Sequence, residues 1–271
     1  MTGLIVPQAV GRNIARAKSL LRRDEPIRAL EALISGLEAY HPAELMGKTR
    51  FEVEVLVQEC VNELNRQPKV RALLEALGRP AGAGLAYLPG KEDALRAVLP
   101  ILYKALQETE AAKVREVEEE RLGRRNSLRD KGVAYFSAGD APRGKAALRV
   151  LGDEFGEEPG VLLEIGRIFL EHKLFFEAAE FLERALEAFP KDGQAYAGAA
   201  ESYVALREFE KAETVYLKAI REFGKHPKTM LNLARLYAQW NKKDKAFEAA
   251  QDVLRKDPEN AEATEMVAKF G

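Results

Sequence analysis

The chain has 271 residues and a mass of 30.2 kDa, enough for a sizeable apolar core without disulfide or metal support. Its 42 basic and 43 acidic side chains leave a formal net charge of -1, which excludes a whole-molecule field drawing it to nucleic acid or anionic lipid. The single cysteine, Cys60, excludes an internal disulfide and a multi-thiolate metal site, and suits a reducing compartment with the thiol acting as a buried apolar residue.

The start, Leu4-Ile5-Val6, is broken by Pro7 and followed by Arg12, so it fits neither a signal-peptide core nor a membrane span. A cytoplasmic protein with no membrane contact is expected. Ala, Leu, Glu, Arg and Lys dominate, with few runs of Val, Ile or Thr, which predicts an all-α chain.

Residues 1–90 read as a helical N-terminal region. Within it, 10–43 predicts a hairpin around Asp24-Glu25-Pro26, with Ala17 and Leu20 before the turn and Ala29, Leu33 and Gly36 after it. Arg12, Arg16, Lys18, Arg22 and Arg23 form a basic run with no acid between 11 and 23, a candidate anion-binding face for phosphate or an acidic protein. No aromatics are interleaved to stack on bases, so a solvated or acid-paired face is favoured over nucleic acid. Helices come next at 49–64 and 69–77. A loop then runs from Gly78 through Gly82-Ala83-Gly84 to Pro89-Gly90 and is expected to be flexible.

A charged connecting helix covers 91–124, which Pro100 should kink or divide. Its apolar residues Leu102, Leu106, Val114, Val117 and Leu122 hold no heptad, so its glutamates and arginines predict a solvated spacer rather than a coiled coil.

From 125 the chain repeats itself. Gly132, Gly166, Ala200 and Ala234 recur every 34 residues, as do Gly144, Ala178, Ala212 and Ala246, the aromatics Tyr135, Phe169, Tyr203 and Tyr237, and Leu128, Leu162, Tyr196 and Met230. This register defines four units, 125–158, 159–192, 193–226 and 227–260. Apolar residues three and four apart on two segments of each unit predict a hairpin of amphipathic helices. In the second unit Leu162, Ile165, Gly166 and Phe169 face Ala178, Leu182 and Ala185, and the small residues permit a close crossing. Pro190 and Pro258 stop two units, Gly156 and Gly224 the others, and the next helix is expected to restart near Pro159 and Pro227. Residues 261–271 begin a fifth first-helix without a second. They predict a cap that lays Val267 and Phe270 on the fourth hairpin and shows Glu262, Glu265 and Lys269 to water.

This pattern resembles the tetratricopeptide repeat family, whose apolar, small, aromatic and proline places are filled in the second unit by Leu162, Ile165, Gly166, Phe169, Ala178, Leu182, Ala185 and Pro190. Lys131 and Leu151, Ala199, and Ala250 and Val253 depart from the pattern in the other units. The resemblance implies an α-solenoid, a right-handed superhelix whose concave groove is lined by the first helix of each hairpin. It points Asn126, Arg129, Asp130, Val133 and Phe136 of the first unit into that groove. Glu164, Arg167 and Glu171 join them from the second, Gln194 and Glu201 from the third, and Lys228, Asn232, Arg235 and Gln239 from the fourth. Some members clamp the terminal carboxylate of chaperones with Lys, Asn and Arg side chains. The matching places here agree only at Lys228, which disfavours that ligand.

Other constellations are weak. Gly47-Lys48-Thr49 is the tail of a phosphate loop, but Pro42 stands where its first glycine belongs and no strand precedes it. Gly82-Ala83-Gly84 lacks the third glycine of a dinucleotide loop, Tyr87 standing there. His41, His172 and His226 lie far apart near helix ends, where they read as solvated, so no metal site is expected. No nucleophile with a general base stands out, so neither catalysis nor a cofactor is expected. The expected function is a protein-interaction scaffold holding a peptide or helix of a partner protein in the groove. The alternatives are a self-assembling module, giving a homo-oligomer, and nucleic-acid binding through the basic run.

Overall fold

The structure, a computed structural model, describes residues 8–41, 47–80 and 82–271; the Leu4-Ile5-Val6-Pro7 start, Pro42 and Ala81 lie outside them. It contains thirteen helices and no strand among the described residues, and divides into two compact units, Met1–Glu119 and Glu120–Gly271.

The first unit holds α1 (Gln8–Leu21), α2 (Pro26–Glu38), α3 (Gly47–Arg66), α4 (Pro68–Ala76) and the beginning of α5 (Glu92–Ser137). The turn between α1 and α2 places Asp24 at φ 59, and the Glu25 amide donates to the Leu20 carbonyl at 3.1 Å. Gly36 lets the two helices meet, since a Cβ there would stand 2.9 Å from Cγ1 of Ile14. Ile14, Leu30, Leu33, Val57, Cys60 and Leu64 build the core. Burial pushes the Cys60 thiol up to about 12, so it stays protonated at neutral pH and acts as a buried donor, its Sγ reaching the Ile14 carbonyl at 3.4 Å.

Two expectations for this region are corrected. The segment expected as a connector over 91–124 is part of one longer helix, and its first turns bury Leu95, Leu99, Leu102 and Leu106 in the first unit's core. Pro100 does not divide it. The proline faces solvent between Leu99 and Leu102, and burial of that leucine stripe offsets a defect of about 3 kcal/mol. Gly123 does not stop it either, and the helix runs on to Ser137. Beyond its buried turns Val114 and Val117 are exposed, as a solvated helix requires.

The loop containing Gly82-Ala83-Gly84 is pinned rather than flexible, as is its continuation to Gly90. The Asn65 side chain imitates a neighbouring peptide, accepting from the Leu85 amide at 2.7 Å and donating to its carbonyl at 2.9 Å. Arg79 donates to the Gly84 carbonyl at 3.0 Å, and Leu85 and Tyr87 are buried. The carboxylate of buried Glu92 accepts from the Gly90 amide at 2.8 Å and the Tyr87 hydroxyl at 3.2 Å.

The second unit stacks hairpins made by the end of α5 with α6 (Ala141–Phe155), α7 (Val161–Glu171) with α8 (Phe175–Ala188), α9 (Gly193–Ala205) with α10 (Phe209–Phe223), and α11 (Pro227–Gln239) with α12 (Lys243–Leu254), ending in α13 (Ala261–Phe270). Every hairpin turns the same way: Gly139, Lys173, Arg207 and Asn241, each 34 residues on, have φ of 79, 57, 58 and 60. The next amides, those of Asp140, Leu174, Glu208 and Lys242, donate to Tyr135, Phe169, Tyr203 and Tyr237 carbonyls at 2.8 to 2.9 Å. At the crossings, Gly132 and Gly166 leave no room for a Cβ, which would stand 2.6 and 2.5 Å from Leu148 and Leu182. Ala200 and Ala234 fill the same place, fully buried.

Pro227 opens α11 as expected, whereas Pro159 lies before α7, whose N-cap is Gly160 at φ 87. The departure at Lys131 marks an end of the stack. Its counterparts Ile165, Ala199 and Leu233 are buried, while Lys131 itself is exposed. At the other end α13 buries Ala263 and rests Val267 and Phe270 against the fourth hairpin, with Glu265 and Lys269 exposed.

Candidate functional site

The first helices of the hairpins carry most of the side chains expected in the groove, and three hollows run along them. The first, about 510 Å³, is lined by Glu164, Arg167 and Glu171 of α7 together with Leu163 and Arg125. The second, about 900 Å³, lies between Leu163, Phe189, Gln194 and Glu222. The third, about 370 Å³, brings Gln194 of α9 together with Lys228 and Asn232 of α11. Leu163, Pro159 and Gly160 line both the first and the second, and Gly193 and Gln194 both the second and the third, so the three form one trough.

The remaining expected residues lie outside these hollows. Asn126, Asp130, Val133, Glu201, Arg235 and Gln239 are exposed. Arg129 bonds Asp130 at 2.9 Å and reaches Glu164 at 3.5 Å, its guanidinium held above its ordinary pKa by the Asp130 hydrogen bond. Phe136 is corrected: it is 8% exposed, packed edge-on against Phe169 at 6.0 Å and stacked on His172 at 4.6 Å. The cause is Gly144, whose missing side chain leaves the space the Phe136 ring fills, so the ring turns into the core.

Charge pairing separates the two arginines that occupy equivalent places. Arg235 forms a two-pronged ion pair with Glu262 of α13, which raises the guanidinium's pKa and lowers the carboxyl's through the hydrogen bonds between them. Arg167 has no ion-pair partner among the described residues and faces the first hollow.

Reasoning from the first helices alone missed Arg125, Leu163, Tyr196, Tyr216, Phe223 and Glu222. Tyr216 and Phe223 belong to α10, a second helix. One signal for Tyr216 was present: a hydroxyl stands where the equivalent residues are Leu148, Leu182 and Ala250.

Lys18 of α1 pairs with Glu59 at 2.6 Å, while Arg12 and Arg16 of α1 and Arg22 and Arg23 of the turn after it are exposed with no ion pair among the described residues. His226 caps α11, its Nδ1 accepting from the Lys228 amide at 3.3 Å, and His172 caps the end of α7. Among the described residues no group of three or more His, Cys, Asp or Glu is placed to hold a metal ion, and no helix is long and apolar enough to cross a membrane.

Two family models, both described as tetratricopeptide repeat, match the chain, one at 169–219 and the other at 129–193 and again at 197–263. No protein of curated function matches it. Among solved structures, one of MamA is 18% identical with a TM-score of 0.45, covering 54% of this chain and 80% of its own. A structure described as the functional characterisation of Pseudomonas aeruginosa pilF is 15% identical with a TM-score of 0.38, over 97% of this chain and 98% of its own.

Proposed function

This chain belongs to the tetratricopeptide repeat family through residues 129–263, a helical scaffold for protein interaction, and from that premise we propose that it is a non-enzymatic adaptor whose trough holds an extended segment of a partner protein. The continuity of the three hollows carries this reading. An extended chain passing from Arg167 to Lys228 meets both charge signs, half-buried apolar surface and the side-chain amides of Gln194 and Asn232, a mixture that suits several polar contacts of moderate strength.

Arg167 is the residue to alter, because its charge holds nothing in the fold. Affinity capture from native lysate with the full chain and with Arg167→Glu is expected to show loss of the captured partners, while helical content and melting stay unchanged. Recovery of the same partners with the same salt dependence would remove the trough from consideration. Arg235→Glu is a poorer probe, since it would set two carboxylates face to face and loosen α13.

A second reading rests on α1 and the turn after it, where Arg12, Arg16, Arg22 and Arg23 are exposed with no ion pair among the described residues. Binding of a polyanion there would weaken steeply with added salt, roughly tenfold or more between low and moderate ionic strength.

A further inference from the structure

The first unit carries a hollow of its own, about 210 Å³, where the pinned loop meets the first turns of α5. Leu85, Leu88, Leu95 and Val98 give it apolar walls, Arg79 and Lys91 line it as well, and no Asp or Glu does. Other cations of this unit, Lys18, Arg50 and Lys69 among them, are held by carboxylates. Arg79 donates to the Gly84 carbonyl instead, and neither it nor Lys91 has an ion pair among the described residues. The chain has no acid at all between Gly78 and Lys91. Across Pro89-Gly90 the Lys91 amide donates to the Leu88 carbonyl at 2.9 Å, with Gly90 at φ 81, a conformation that glycine supplies to such turns. That turn sets Leu88, 56% exposed, beside the lysine. On α5, Ala94, Val98 and Ile101 share one face, and Ile101 is 55% exposed, so apolar surface continues for about 10 Å along the helix.

We propose that this hollow docks an acidic, amphipathic segment of a partner protein, a second recognition surface outside the repeats. One large apolar side chain of the segment fills the hollow, and an Asp or Glu close to it in the same segment pairs with Lys91 and Arg79. Two observations choose this occupant. An apolar cavity with two uncommitted cations and no acid complements an apolar group that carries an anion beside it. The strip that runs on to Ile101 lies beyond what a small molecule in a hollow of 210 Å³ would cover, and it suits several residues of a chain. Because the loop is already held by Asn65 and Glu92, Leu88 and Lys91 need no ordering when the segment arrives.

The test uses the full chain to select from a random dodecapeptide library, each enriched peptide then being synthesised with acetylated and amidated ends so that only side chains carry charge. Peptides are expected that join a large apolar residue to an Asp or Glu within one helical turn and that bind Arg167→Glu as well as the unaltered chain. Ala94→Glu puts a charge on the wall of the hollow and Lys91→Glu reverses its cation; each should weaken these peptides about tenfold. Both positions are exposed and lie at the start of α5, where an acid is favourable, so melting should not fall. The same peptide with its acid changed to lysine should bind Lys91→Glu better than it binds the unaltered chain, a reversal that damage to the loop would not produce. Peptides that share no acid, or that ignore both substitutions, would overturn the proposal. So would a selection that enriches only peptides lost with Arg167→Glu, or no peptide. Octanoate displacing the peptides at a lower concentration than they themselves need would overturn the protein segment in favour of a small apolar acid.

Discussion

The two units begin with the same device and then diverge. The α1–α2 turn has a left-handed residue at Asp24 and an amide returning to the Leu20 carbonyl, the geometry found at Lys173, Arg207 and Asn241. In the second unit that turn recurs and satisfies itself through its own backbone. Successive hairpins are then joined mainly by shape and by surface ion pairs such as Arg149 with Glu180 at 2.7 Å and Lys225 with Asp252 at 2.6 Å, with a few side-chain bonds to backbone such as Arg184 to the Gly152 carbonyl at 3.3 Å. The first unit abandons the repeat after α2, and its irregular backbone is satisfied one group at a time by side chains. Asn65 serves Leu85, Gln67 donates to the Leu21 carbonyl at 3.0 Å, and Arg96 donates to the carbonyls of Leu37 and Tyr40. Repetition replaces special side chains with one reusable backbone solution. Its stability rests on crossings between helices, whereas that of the irregular unit rests on single polar anchors.

The largest effect should come from filling a crossing. Gly166→Leu forces a side chain into space held by Leu182 and should cost about 3 kcal/mol or more, while Glu164→Ala, at a half-exposed site, should cost less than about 0.5 kcal/mol. Calorimetry of both variants compares them directly; equal melting temperatures would mean that the repeat register is misplaced.

An intermediate effect is expected at an anchor of the irregular unit. Asn65→Ala leaves the Leu85 amide and carbonyl without their partner, a loss of about 2 kcal/mol. Hydrogen exchange should accelerate at Leu85 and its neighbours and stay unchanged across α7 to α12. Protection that persists at Leu85 would show that this loop is held by its apolar contacts instead.

The smallest effect tests the shared turn. Lys173→Gly relieves a left-handed residue and should raise stability by about 0.5 kcal/mol, with Asp24→Gly gaining less because aspartate tolerates that conformation better. A loss at Asp24 beside a gain at Lys173 would separate the two turns energetically and break the parallel between the units.

The sequence by itself determined the repeat: a period of 34 in small and aromatic residues names each crossing, because helix packing there tolerates only small side chains whatever surrounds it. At Lys131 the sequence showed only a departure from the pattern; the burial of its counterparts Ile165, Ala199 and Leu233 and its own exposure are facts of the structure. Only the tertiary structure decided that α5 passes through Pro100, because a proline's local cost is outweighed by leucines whose burial depends on residues distant in the chain. The same holds for the candidate site. First-helix positions placed Arg167 and Lys228 on the trough, but whether an arginine is free or already paired, as Arg235 is with Glu262, depends on a contact 27 residues away. Phe136 turned inward into space left by Gly144, and Tyr216 reached the trough from a second helix, for the same reason: direction and pairing are properties of neighbours in space, which a periodicity cannot name.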